Sequence, residues 1–174
     1  IIFRCDDNSG GLTSYMALVG TTPAVTIQQD VKLTATKKLY LDGGSGTYLV
    51  ESSNDVLDIY AGGTNMLRIE ESGTDYVQVF DNTKFVVGTG KDLQIYHDGS
   101  NNYIDSITSD QDLFIRVNDG GSQINAIQID ASDNGSVFMK NDNQFLYIGA
   151  GNDIAIGHNG TNSIFNNNTG TLQI

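Results

Sequence analysis

The residues with chemical potential in this chain are two histidines, one cysteine and a large population of aspartates set beside glycines. His97 and His158 stand in matching strings, Ile95-Tyr-His-Asp-Gly99 and Ile156-Gly-His-Asn-Gly160. At a rim they could ligate a metal or touch a glycan. One imidazole with one or two carboxylate oxygens is too small a ligand set, so the plainer role is a turn in which each ring bonds local backbone. With eighteen Asp residues, carboxylate pairs at the separation glycoside hydrolysis needs will arise by chance. Asp at turns has a simpler use, because its side chain accepts bonds from nearby backbone N–H groups. No Ser-His-Asp or Cys-His grouping stands out, and Cys5 alone can form neither an internal disulfide nor a thiolate cage.

Gly88-Thr-Gly-Lys-Asp92 and Gly149-Ala-Gly-Asn-Asp153 partly match the nonapeptide of calcium-binding β-rolls. That chemistry needs consecutive nine-residue turns that share each ion. Here the copies begin 61 residues apart, and Gln94 and Ala155 stand where a large apolar residue is needed. A Gly-x-Gly with no following helix is equally poor ground for a nucleotide loop. The sequons at Asn134, Asn159 and Asn167 are expected from an Asn-rich composition. Eight tyrosines spread along the chain could stack on sugars or cover the flanks of a thin core. The expectation is no catalytic, cofactor-binding or metal-ligating residue, no cofactor and no enzymatic activity.

A formal net charge of −12 repels phosphate backbones and no basic stripe offsets it, so no nucleic-acid partner is expected. No run of eighteen apolar residues and no basic-apolar leader is present, and membrane insertion is not expected. Glu occurs only three times, and no window carries the apolar period of a helix. Gly, Asn, Asp and Ser instead supply abundant turns.

Apolar-x-apolar triplets fill the space between those turns. They begin at Leu39, Leu57, Leu67, Val77, Phe85, Leu93, Leu113, Ile127, Val137, Leu146, Ile154 and Leu172, with further short strands at Tyr48, Asn102 and Ser163. Period two places both outer residues of a triplet on one side of a strand. Asp92, Ile95, His97 and Gly99 recur as Asp153, Ile156, His158 and Gly160, and Val87-Gly-Thr-Gly90 matches Ile148-Gly-Ala-Gly151. The second copy has Gly157 for Tyr96 and Asn159 for Asp98, so its turn is expected to be built differently. These spacings predict β repeats over 37–90, 91–151 and, truncated, 152–174. Residues 1–36 read as a separate β-hairpin module: Ile2–Cys5, a turn at Asp7–Gly11, Tyr15–Val19, Pro23 in a loop and a further strand from Val25.

The fold class is therefore all-β, an elongated array of short strands in 54–61-residue repeats. Two apolar residues per strand make a core too thin for one chain to close. Three copies about a three-fold axis would share a core and pair open edges, giving an intertwined homotrimeric β-fibre. The alternative is a single-chain β-solenoid whose rungs close on themselves. The chain opens on Ile1 and ends within the Leu172 triplet, and is expected to be a piece of a longer polypeptide.

The run Gly88-Thr-Gly-Lys-Asp-Leu-Gln-Ile-Tyr-His-Asp-Gly-Ser-Asn-Asn-Tyr-Ile104 resembles a recurrent motif of tail fibre proteins of tailed bacteriophages, above all marine and cyanobacterial ones. Ile1–Tyr15 is similar to the module that precedes such repeats, and Asp55–Ile69 to a further segment of them. The resemblance implies a homotrimeric virion appendage, exposed to the extracellular medium and joined to other virion proteins at its ends. It would act as a shaft that positions a host-receptor-binding element. The alternatives are a module that itself binds host surface glycan, or a polysaccharide depolymerase.

Overall fold

A computed structural model describes residues 2–6, 9–19 and 24–173. Pro23 and the Asp7-Asn8 part of the first turn lie outside the described residues, as does Ile174. All regular structure among them is β. Strands β1 (Ile2–Asp6), β2 (Leu12–Val19) and β3 (Ala24–Ile27) form one sheet. A five-stranded sheet holds β4 (Lys38–Tyr40), β5 (Tyr48–Ser53), β6 (Val56–Ala61), β7 (Thr64–Glu70) and β8 (Tyr76–Gln78). Three more three-stranded sheets follow. They comprise β9 (Phe85–Val87), β10 (Leu93–His97) and β11 (Asn102–Ser106); then β12 (Leu113–Asp119), β13 (Ser122–Asp130) and β14 (Ser136–Phe138); then β15 (Gln144–Ile148), β16 (Ile154–His158) and β17 (Ser163–Asn167).

Every sheet is an antiparallel meander in chain order and none closes into a barrel. A solenoid stacks its rungs by parallel pairing, and no parallel ladder occurs among the described residues, so the solenoid alternative is not what forms. Each triplet from Leu39 to Ile154 begins on a strand, with Leu41, Val79 and Met139 one residue past the end of theirs. The Leu172 triplet does not: residues 171–173 belong to no ladder, and alternation yields a strand only where a neighbour offers its N–H and C=O groups.

The chain divides into two units, residues 1–83 and 84–174. In the first, β6 and β7 are joined through Gly62 and Gly63, whose φ values of 58° and 82° are both left-handed, as a two-residue hairpin turn requires. Asn54 and Asp55 make an equally short link between β5 and β6, so all five strands stay in one sheet. In the second unit β12 and β13 turn through the corresponding Gly120 and Gly121, but residues 107–112 separate β11 from β12. Six linking residues in place of two let β11 become a sheet edge, and the sheet splits. The same four-residue difference appears in the sequence: Leu39 to Leu93 is 54 residues, whereas Gly62 to Gly120 is 58. The repeat spacings thus mark equivalent strands, with β4, β10 and β16 each leading into a similar hairpin. The sheets are cut elsewhere, since 90/91 falls inside β9–β10–β11 and 151/152 inside β15–β16–β17.

β14 reaches only Gln128–Asp130 of its partner, leaving earlier carbonyls of β13 open. Two side chains ahead of and within β15 satisfy them: Asn141 Nδ2 donates to the Asn125 carbonyl at 2.6 Å, and Gln144 Nε2 to that of Ala126.

Very little of the chain is buried. Among the described residues Ala17, Tyr48, Val50, Val56 and Ala155 are the buried hydrophobics, and the largest fully buried side chain is Asp58, 1% exposed. Arg68, directly opposite across β6–β7, grips it with Nε at 2.8 Å and Nη2 at 2.9 Å and lies over the Phe80 ring. That guanidinium, with further bonds from Ser52 and Asn65, holds the Asp58 carboxyl well below the usual carboxylate range. Removing the cation strands a buried charge. Arg68→Ala is expected to cost about 3 kcal/mol, the low end for breaking a buried pair because Arg68 is itself partly exposed, as read by chemical denaturation.

Candidate interaction surface

The residues with chemical potential build turns. His97 Nδ1 accepts the Gly99 N–H at 3.1 Å and His158 Nδ1 accepts the Gly160 N–H at the same distance. Asp98 Oδ1 then takes the N–H groups of Ser100 and Asn101, both at 2.8 Å. Asn159 Oδ1 takes those of Thr161 at 3.0 Å and Asn162 at 2.8 Å. The expectation that the second turn differs is therefore corrected for its backbone bonds, which follow the same pattern. Both backbone N–H groups go to one oxygen, which Asn supplies as well as Asp does. Beyond the backbone, Asp98 also bonds the Tyr103 side chain, where the second copy has Ile164, and His158 Nδ1 lies 3.1 Å from Asp142 Oδ1. Tyr96 is replaced for a separate reason. A Cβ on Gly157 would stand 2.6 Å from the Phe145 ring, which covers this position, whereas Tyr96 is covered by Lys84 and stacks on Tyr103.

Asp42 caps the equivalent hairpin of the first unit with both oxygens, Oδ1 receiving the N–H of Gly44 and Ser45, Oδ2 those of Gly46 and Thr47. The bond from Gly46 leads in lowering its pKa to about 2.

The glycines of Gly88-Thr-Gly-Lys-Asp92 are explained by their own aspartate. Its carboxylate folds back over the loop, so a Cβ on Gly88 would meet Asp92 Oδ2 at 2.2 Å; Gly149 meets Asp153 at the same distance. Each carboxylate then receives a hydroxyl from the next loop, Thr108 at 2.8 Å on Asp92 and Thr169 on Asp153. The string is a turn leading into a strand.

No group of three or more His, Cys, Asp or Glu able to hold a metal occurs among the described residues. One groove in the first unit is lined by Glu51, Asp55, Glu70, Glu71 and Asp75 together with Leu57, Ile69 and Val77. Glu70 there is held ionised by the hydroxyls of Ser72 and Tyr76 and then by Arg68, an environment opposite to the one a general acid needs. The tyrosines are distributed between roles: Tyr48 and Tyr60 stack at 4.5 Å beneath Lys38, while Tyr147 is half exposed.

What the structure brings together is two unlike faces on each sheet. On one face of β4–β8 lie Lys38, Tyr48, Tyr60, Asp58 and Arg68; on the other, Leu39, Leu49, Ile59 and Leu67 stand in one row, and Leu57, Ile69 and Val77 in another. In β9–β11, Lys84, Gln94, Tyr96 and Asp105 oppose Phe85, Val87, Leu93, Ile95 and Ile104. The sheet β12–β14 repeats the division, with Arg116 over Phe114 and Lys140 over Phe138 on one side, and Ile115, Ile127, Ile129 and Val137 on the other. In β15–β17, Leu146, Ile148, Ile156 and Phe165 oppose Tyr147 and Ala155.

The aliphatic faces are open. Val77, Ile104 and Val137 are each about two-thirds exposed. The whole chain exposes 12909 Å², against about 8,300 Å² for a folded monomer of its mass and about 10,000 Å² for two separate monomers of half that mass. The excess is on the scale that obligate assemblies bury.

The sequence reading passed over Asp58–Arg68 and Lys84–Gln94, whose polar ends meet at 2.8 Å and 2.5 Å. A signal was present for the first: two opposite charges equidistant, to within one bulged residue, from Gly62-Gly63. Comparison with protein-family models, curated proteins and solved structures finds no match to this chain.

The two caps respond differently to loss of one oxygen. Asp98→Asn keeps an acceptor for both backbone N–H groups, as Asn159 does, and is expected to lower the melting temperature less than Asp42→Asn, which loses an oxygen that accepts two of its four N–H groups. Asp42 is depressed when folded, so its contribution is complete above its unfolded pKa of about 3.9 and is lost as pH falls through about 2; thermal melts from pH 7 to pH 2 read both effects.

Proposed function

We propose that this chain is a non-enzymatic shaft segment of a bacteriophage tail fibre or related virion appendage, working as a homotrimer that holds a host-receptor-binding element away from the particle. The observation that carries this reading is the open aliphatic face on each sheet from β4 to β17, which leaves the chain without a core of its own. Apolar area of this extent is a liability in a monomer and a requirement in an assembly whose copies share a core. The resemblance of Gly88–Ile104 to tail fibre repeats supplies the biological setting. The chemistry of the polar residues points the same way. His97, His158, Asp42 and Asp98 accept backbone N–H groups and Asp58 is taken by Arg68, so these acceptor atoms hold structure. The function is mechanical, and it rests on many short strands that resist unfolding only together.

Size-exclusion chromatography with light scattering is expected to give three times 18.7 kDa for the recombinant chain. Trypsin is expected to leave Arg68 and Lys91 uncut in the assembled state. A folded monomer, or rapid cleavage at those two residues, would count against the shaft.

A further inference from the structure

We infer that the surface buried between copies of this chain is the aliphatic face of each sheet, and that the aromatic and cationic face stays toward solvent. The inference deepens the shaft reading and rests on it. Three observations select the face. First, charge is segregated by the pleat. Arg68, Lys84, Arg116 and Asp105 all lie on the aromatic side, while the aliphatic side carries Glu51, beside Leu57 in β5, and Asp119 at the end of β12. A chain of net charge −12 approaches its own copies most readily through the surface poorest in that charge, which is the aliphatic one from β9 to β17, where Asp119 alone among the strand carboxylates faces that side.

Second, the aromatic side already has its cover. Lys38 stands 3.8 Å from the Tyr48 ring centroid and Lys84 4.0 Å from that of Tyr96, and the central residues beneath, Asp58, Gln94, Gln128 and Ala155, are all buried within the single chain. The aliphatic side has no such cationic lid: Val31 and Leu33 lie beside Leu39, Leu49 and Leu57, and Val77, Ile104 and Val137 stay about two-thirds exposed. Third, the occupant must be apolar and present at every sheet, because the same open face recurs on four successive sheets. A second copy of this chain offers an identical run of faces in the same order, and the excess exposed area matches what an obligate assembly removes from water.

Neighbouring residues of β15 allow a matched test. Leu146 is 50% exposed and faces the aliphatic side; Tyr147 is 52% exposed and faces the other. Leu146→Glu and Tyr147→Glu therefore add the same charge at the same exposure on opposite faces. Mass by light scattering is expected to stay at the wild-type, multi-chain value for Tyr147→Glu and to fall to one chain for Leu146→Glu. Val137→Glu in β14 carries the same expectation and serves if Leu146→Glu loses its β circular-dichroism spectrum. Retention of the wild-type mass by the aliphatic-face variants, or equal dissociation by Tyr147→Glu, overturns the face assignment while leaving the shaft reading intact. A wild-type monomer overturns both.

Discussion

A sheet one layer thick has two faces, and apolar side chains on either of them gain by being covered from water. This chain covers one of them itself. Five of its nine cations, Lys38, Arg68, Lys84, Arg116 and Lys140, lie over aromatic rings on the same side of their sheets. The long alkyl stems shield apolar surface while the charged ends reach water, which lets a polar lid do what a second sheet does in a sandwich. The opposite faces receive nothing comparable. That asymmetry connects the fold to the proposed function, because a fibre shaft needs a shared interior and a soluble exterior from one short repeat.

Beneath each lid one position of the central strand is shut off from solvent, and equivalent sheets fill it differently. Asp58 takes a bidentate guanidinium; Gln94 takes the Lys84 ammonium; Gln128 donates to Asp112 at 2.5 Å; Ala155 needs no partner. A buried polar group is tolerated where the opposing strand can return a matching group, and a small apolar one where it cannot. In β15–β17 no cation is at hand, and Phe145 lies across Gly157 instead. The last sheet is therefore the same design with the charge taken out.

Loop length is the second control on architecture. A two-residue turn at Asn54-Asp55 keeps β5 and β6 paired, whereas six residues release β11 from β12. Once released, β11 is an edge, and local side chains rather than a ladder tie the following segments together: Thr108 on Asp92, Gln128 and Ala131 on Asp112, Asn141 on Asn125. Such ties span 16 to 19 residues, within a sheet or between one sheet and the next, consistent with a chain assembled from nearly independent meanders.

Much of this was legible in the residues alone. Strand positions followed from period-two triplets, because alternation is a local property of a pleated backbone. The turns followed from Asp, Asn and Gly, whose capping and left-handed conformations need only their immediate neighbours, and the recurrence of His97 as His158 marked equivalent hairpins. The tertiary structure decided which strands share a sheet, that Leu172 stays outside any ladder, and that Asp58 is paired with Arg68 while Asp42 and Asp98 cap turns. It also decided that the aliphatic halves of the triplets end on one uncovered face. Those outcomes depend on register across the ladders and on loop length, where a one-residue slip would reverse every face, and neither can be read from a strand in isolation.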